Sequence, residues 1–173
     1  MFVSEAQRRL FSSFARNSHL AINRNSTYVI YNPLPLLPTT PLEGNDVGFL
    51  GGLDPIKGFN VLLGVWLKLY KKFKEAKLRA AMTKNLPETV EKVNIVRCPR
   101  LKGSDLDNFY KFCRVVVVPS ICPEPSPYVV VEALLRGRLL MASHVGGVPE
   151  IVEGLKGVFM VEPNDVNSLA DAL

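Results

Sequence analysis

Val115-Val-Val-Val-Pro119-Ser-Ile-Cys-Pro-Glu124-Pro-Ser-Pro127-Tyr-Val-Val-Val-Glu132-Ala-Leu-Leu-Arg-Gly137 decides how the chain folds. Four consecutive β-branched residues, Val115–Val118, suit a strand buried on both faces of a sheet. After the loop, Ser126 reads as a helix N-cap with Pro127 at the first helical position. Gly137 reads as the C-terminal stop, so the pattern predicts a helix from about Tyr128 to Arg136. A loop between such a strand and helix lies at the carboxyl edge of the sheet, where open α/β folds bind ligands. The helix start points unbonded amides and a partial positive charge into that crevice, which suits a pyrophosphate.

The same alternation extends in both directions. Upstream, strands are expected at Val47–Leu50, Leu78–Met82 and Val93–Val96, and helices from about Asn60 to Lys74 and from a Ser104 cap to about Phe112. Downstream, strands are expected at Leu139–Ala142 and Val158–Val161, with a short helix at Pro149–Glu153 and a last one starting near Asp165. Strand–helix alternation with short connections argues for an α/β fold built on a parallel, doubly wound sheet. The first residues differ: Ser4 caps a short helix through about Phe14, and Thr27–Tyr31 is β-rich. Pro33, Pro35, Pro38 and Pro41 then deny the backbone its amide donors, which predicts an extended linker. A boundary near residue 45 divides the chain into 1–45 and 46–173.

Three loops carry the candidate chemistry. Glu124 lies in the loop before the Tyr128 helix and could accept hydrogen bonds from ligand hydroxyls. Glu132 lies within that helix between apolar neighbours, and a carboxylate in such company needs a partner. Spacing leaves two readings open: a ligand contact, or pairing with Arg136 at i+4. Gly51-Gly52-Leu-Asp-Pro-Ile-Lys57-Gly58 follows the first sheet strand; its glycines admit a close ligand and Lys57 offers charge to a phosphate. It matches neither a Walker A loop nor the GxGxxG fingerprint, so a tight turn with an exposed lysine is an equal reading. Ser143-His-Val-Gly146-Gly147-Val-Pro-Glu150 holds either a backbone nest for phosphate or sugar, or a plain turn. Asp105-Leu-Asp107 resembles a metal-binding pair, but acidic residues are favoured by the dipole of a helix first turn, and no metal is expected there. His144 has no carboxylate neighbour in sequence and reads as structural.

Charge is unevenly distributed within a net +5: +2 over residues 1–45, +7 over 46–114 and −4 over 115–173. Lys68, Lys71, Lys72, Lys74, Lys77 and Arg79 accompany an apolar stripe of Leu62, Trp66, Leu69 and Phe73. They read as a solvated helix face, with peripheral contact to anionic lipid as the alternative. No basic motif interleaved with aromatics is present, so nucleic acid is not an expected partner. Three cysteines without CxxC spacing argue against a disulfide framework or a zinc site and fit a reducing compartment. With neither a signal segment nor a long apolar span, the expected location is cytoplasmic.

Together, and in this order, these elements resemble family 4 glycosyltransferases of the GT-B fold, over about residues 47–173. The carrying motifs are the strand, glycine turn and Lys-Gly of Phe49–Gly58, Pro119-Ser120, the Glu124–Glu132 spacing, Glu132–Gly137, and Ser143–Glu150. The resemblance implies a Rossmann-like donor-binding domain that uses a UDP-sugar or GDP-sugar in a retaining transfer, without a cofactor or catalytic metal. It implies that Glu132 holds the ribose hydroxyls, that Glu124 sits near the transferred sugar, and that Lys57 meets the donor phosphates. Gly51 and Gly52, the stretch Ser126, Pro127, Tyr128 and Val129, and Gly146 and Gly147 would line the rest of the donor. This chain departs from the pattern at Gly52, where many members have Arg, at Pro125-Ser-Pro127 in place of Gly-Phe-Gly, and at Met82-Thr-Lys-Asn85 in place of a glycine-rich turn. Residues 1–35 resemble the end of the family's acceptor domain, the rest of which is missing. The sequence then reads as a fragment, a truncated product or half of a split enzyme. Its partners would be the nucleotide-sugar and either an acceptor-domain chain or a second copy; a non-catalytic binding module is the rival reading.

Overall fold

A computed structural model describes residues 1–18, 26–33, 36–37, 39–82, 93–99 and 101–173. Six strands, β1 (Asp46–Phe49), β2 (Leu78–Ala81), β3 (Ile95–Cys98), β4 (Cys113–Val118), β5 (Leu139–Ser143) and β6 (Val158–Val161), form one sheet. Their order is β3-β2-β1-β4-β5-β6 and every pairing is parallel. The doubly wound α/β expectation therefore holds, and the topological switch point falls between β1 and β4.

The helices divide between the two faces because the strand residues alternate. Val117 of β4 joins Val47, Phe49, Leu78, Ala80 and Met141 in a core with Leu62, Val65 and Trp66 of α2 (Phe59–Leu69) and Leu169 of α6 (Val166–Ala172). Val116 and Val118 face the other way. They pack with Phe109 and Tyr110 of α3 (Ser104–Phe112), Val130 and Ala133 of α4 (Tyr128–Leu135), and Val148 and Val152 of α5 (Val148–Val152). The four-valine run is thus one strand feeding two cores.

Local chemistry moves some boundaries. α2 ends at Leu69, well short of Lys74, with Tyr70 as its C-cap. The turn returns Phe73 to stack on Trp66 at 6.4 Å between ring centroids, and the lysines at 71, 72 and 74 escape mutual repulsion on one helix face. The basic helix face expected from the sequence is correspondingly shorter, and Arg79 leaves it altogether: its Nε meets the buried carboxylate of Asp46 at 2.5 Å. Ser104 is the first residue of α3 rather than its cap, because Gly103, at φ 52°, occupies the cap position. Ser126 likewise lies outside the cap of α4, which is Pro127 with no side-chain hydrogen bond. Gly137, at φ 74°, ends α4 as expected. The turn expected at Met82–Asn85 lies outside the described residues beyond Met82, as do Pro35 and Pro38.

At the amino end, α1 (Glu5–Asn17) is capped by Ser4, whose hydroxyl accepts from the Gln7 amide. Phe2 bridges in parallel to Val29. Thr40 anchors the segment leading into β1: its carbonyl accepts from the guanidinium of Arg138, and its hydroxyl accepts from Arg136 at 3.1 Å. No helix among the described residues is long and apolar enough to cross a membrane.

Candidate functional site

The carboxyl ends of β1 and β4 open into a narrow crevice of about 80 Å³, bordered by Gly51, Lys57, Ser120, Glu124, Pro127 and Val129. Each side chain arrives there for a local reason. Asp54 caps the 3₁₀ turn Pro55–Lys57 by accepting from the Ile56 amide, and this turn lifts Lys57 over the sheet edge. Gly58 follows at φ 74°, and a β-carbon there would overlap the carbonyl oxygen of Pro119. The Lys57 loop and the Glu124 loop therefore touch backbone to backbone.

That contact brings together two charges 67 residues apart: Lys57 Nζ donates to Glu124 Oε2. The other carboxylate oxygen of Glu124 accepts from the Ser120 hydroxyl at 2.5 Å. The side chains of Lys57 and Glu124 are 32% and 18% exposed, so the pair is partly desolvated but reachable. It spans the crevice, and the Lys57 ammonium, with three donors, retains capacity for a further acceptor.

Glu132 sits on α4, eight residues beyond Glu124, and is half-buried. The pairing with Arg136 weighed from spacing is not the one formed. Glu132 Oε2 instead accepts from the hydroxyl of fully buried Tyr110 at 3.3 Å. Arg136 turns away to Asp107 at 2.6 Å, with its guanidinium over the Tyr110 ring at 4.8 Å. Burial, reinforced by the Glu132 charge, pushes the Tyr110 phenol well above its ordinary range, so it keeps its proton and donates a hydrogen bond to Glu132. Asp107, half of the apparent metal-binding pair, is occupied by Arg136, and the described residues hold no group of three metal-ligating side chains.

The third loop packs beneath the second. The Gly147 amide donates to the Glu124 carbonyl at 2.8 Å. A β-carbon at Gly146 would meet the Glu124 backbone, and one at Gly147 would overlap the Pro125 carbonyl. The smallness of these glycines is thus spent on loop-to-loop contact, and the Gly147 amide is already bonded. Gly52, at φ 69°, has nothing near its β position and leaves open space beside the crevice. Tyr128 is exposed, and its amide and that of Val129 begin α4, where a helix lacks internal acceptors for its first donors. His144 is exposed and borders a separate hollow of about 660 Å³ between α1 and α5, which neither Lys57 nor Glu124 lines. Another hollow, about 610 Å³ and mostly apolar, lies at the opposite edge of the sheet beside Phe73 and Met141. It shares no residue with the glycine loops.

Tyr110, Arg138 and Glu150 are absent from the sequence-derived site. Only the placement of an arginine among Leu139, Leu140 and Met141 hinted at a buried Arg138, which donates to carbonyls of Thr40, Tyr110, Cys113 and Arg136.

A parallel sheet with this strand order and a charged crevice at its switch point defines a Rossmann-like α/β lobe. Residues 44–173 match Glycosyl transferases group 1, and the chain belongs to that family. It is 30% identical over 163 residues to an uncharacterized glycosyltransferase of Haemophilus influenzae, covering 86% of this chain and 45% of that protein. To a D-inositol 3-phosphate glycosyltransferase of Corynebacterium jeikeium it is 28% identical over 148 residues, covering 77% and 35% respectively. Among solved structures, Anabaena HepE in complex with UDP-glucose superposes with a TM-score of 0.78 at 22% identity, covering 99% of this chain and 51% of that one. The lobe is thus of the kind found in GT-B glycosyltransferases. The chain spans about half the length, or less, of these three proteins.

Proposed function

We propose that this chain is the donor-binding lobe of a retaining glycosyltransferase that takes a UDP-sugar or GDP-sugar. The observation carrying the proposal is the meeting of Lys57 and Glu124 across the switch-point crevice, at the start of α4. A diphosphate entering there exchanges places with the Glu124 carboxylate on Lys57 and lies against the positive end of α4. The displaced carboxylate, still held by Ser120, is left beside the sugar. Glu132, steadied by Tyr110, takes the ribose hydroxyls.

As the sugar–phosphate bond breaks, negative charge grows on the leaving nucleoside diphosphate. Lys57 and the α4 amides stabilise that charge without a metal ion. The acceptor is bound by a lobe outside the 44–173 match, supplied by further chain or by a partner. HepE, whose fold this chain shares, was captured with UDP-glucose, which supports a nucleotide-sugar as the ligand class.

Calorimetric titration of the chain with UDP-glucose and GDP-mannose is the test. Saturable binding of one donor is expected. Absence of heat with either donor, and with UDP or GDP, at millimolar concentration would refute the proposal. Donor binding without transfer or hydrolysis, even with an acceptor lobe restored, would favour a non-catalytic binding module.

A further inference from the structure

Glu150 makes a contact that reaches well beyond its own helix. Its carboxylate accepts from two successive amides at the start of α1: Glu5 N–H to Oε1 at 2.9 Å and Ala6 N–H to Oε2 at 3.1 Å. The separation is 145 residues for the first bond and 144 for the second, so this is a tertiary cap rather than a local one. An anion at this end is doubly favoured, by two donors that lack intrahelical acceptors and by the helix dipole. Arg9 adds a longer approach at 3.8 Å, and the Glu150 side chain keeps only 15% of its exposure.

The start of α1 is held directly under the Glu124 loop. Ser4 is fully buried, and its β-carbon lies 3.3 Å from the position a β-carbon would take on Gly147. The Pro125 carbonyl closes on the same β position of Gly147, whose amide donates to the Glu124 carbonyl at 2.8 Å. The start of α1, the Gly146-Gly147 turn and the Glu124-Pro125 backbone therefore meet at Gly147. α1 lies outside the 44–173 family match, whereas Glu150 and the turn lie inside it.

We propose that Glu150 is a positioning residue which, by clamping the start of α1, presses the Gly146-Gly147 turn against the Glu124 loop and fixes the Glu124 carboxylate at the sugar. Its functional half rests on the donor-site reading above. A clamp of this kind acts on the sugar more than on the nucleotide, because Glu124 faces the sugar while Glu132 and Lys57 hold the rest of the donor.

The test compares the whole chain with Glu150→Ala, Glu150→Gln and Glu5→Pro. Proline at the first helical position is tolerated, so Glu5→Pro removes one clamped donor while leaving Glu150 and the helix in place. Two measurements are made: amide hydrogen exchange at Glu5, Ala6 and Gly147, and the affinity for UDP-glucose or GDP-mannose relative to the bare nucleoside diphosphate. Glu150→Ala is expected to speed exchange at Ala6 and Gly147 by about tenfold. The sugar-dependent gain in affinity should fall by about fivefold, while UDP or GDP alone binds nearly as before. Glu150→Gln retains one acceptor oxygen and restores part of both effects, and Glu5→Pro reproduces the losses in milder form.

Faster exchange at Ala6 with Gly147 exchange and the sugar increment both unchanged would overturn the proposal, leaving Glu150 a cap and nothing more. If Glu150→Ala fails to fold, Glu5→Pro carries the same two readouts. If the unaltered chain binds no nucleotide, the donor-site reading has failed on its own account, and unchanged Gly147 exchange in Glu5→Pro would then reject the clamp separately.

Discussion

Replacing Lys57 with methionine separates ligand binding from stability, because the same ammonium group has different partners in the two states. In the structure it serves Glu124, in a pair whose side chains are 32% and 18% exposed. Such a partly solvated pair contributes about 1 kcal/mol or less to folding. With donor bound, the ammonium faces a diphosphate, where a charge-assisted hydrogen bond contributes about 1.5–3 kcal/mol. In the proposed exchange the Glu124 pair is broken, so the expected net contribution of Lys57 to affinity is about 0.5–2 kcal/mol, or roughly 2- to 30-fold. Lys57→Met should therefore weaken donor binding by that factor in calorimetry while lowering unfolding stability by at most about 1 kcal/mol. Adding Glu124→Gln removes the negative charge left without its lysine near the incoming diphosphate and should recover part of the nucleotide affinity. An unchanged affinity in Lys57→Met, with stability falling by several kcal/mol, would refute the exchange of partners and make the pair purely architectural.

Glu132→Gln should weaken nucleotide binding by about 1–3 kcal/mol, and equal affinities in parallel titrations would remove Glu132 from the ribose site. Arg138→Met abolishes the donors that serve the Thr40, Tyr110, Cys113 and Arg136 carbonyls. It should cost about 2–4 kcal/mol in urea unfolding, and a cost below about 1 kcal/mol would contradict the anchoring of Thr40. Burial pushes the Cys98 and Cys113 thiols above the ordinary 9.0 and the Tyr110 phenol above 10.0, so the fold holds all three protonated where the unfolded chain releases protons. Their contribution is complete below those ordinary values, and stability should decline as pH rises beyond about 9; Cys113→Ala should flatten the decline, and a flat profile for the unaltered chain would oppose the assignment. Cys122 alone among the three cysteines is exposed. A thiol reagent should therefore label one cysteine in the native protein and three after denaturation, and rapid labelling of all three would contradict the burial.

The fold was legible wherever local pattern and burial agree. Val115–Val118 suits a strand buried on both faces and lies within β4, and Val158–Val161 is a strand with the expected ends. Helix ends were less legible. Lysine at 71, 72 and 74 fits a helical surface, but the end of α2 is set by Phe73 reaching Trp66, a contact that periodicity does not encode. Ser104 and Ser126 carry the right cap chemistry, yet the preceding Gly103 and the following Pro127 take the cap positions through backbone preference. The site divides in the same way. Its loops could be read from strand ends and glycines, whereas the partners of its carboxylates depend on which helices become neighbours. Glu132 has Arg136 one turn away in sequence but Tyr110 across the helix–helix contact, and the latter is the bond that forms. Glu150, an ordinary first-turn glutamate by sequence, finds its partners on α1.

The meeting of Gly58 with the Pro119 carbonyl ties together the two loops beside the crevice. Since no β-carbon fits between these two backbone segments, the spacing from the Lys57 turn to the Glu124 loop cannot be widened by trading side chains at that point. By contrast, half-buried Ser126, exposed Tyr128 and the open space beside Gly52 lie where side chains can change size without meeting that contact. The two loops are thus held at one spacing while the residues outside that contact remain variable.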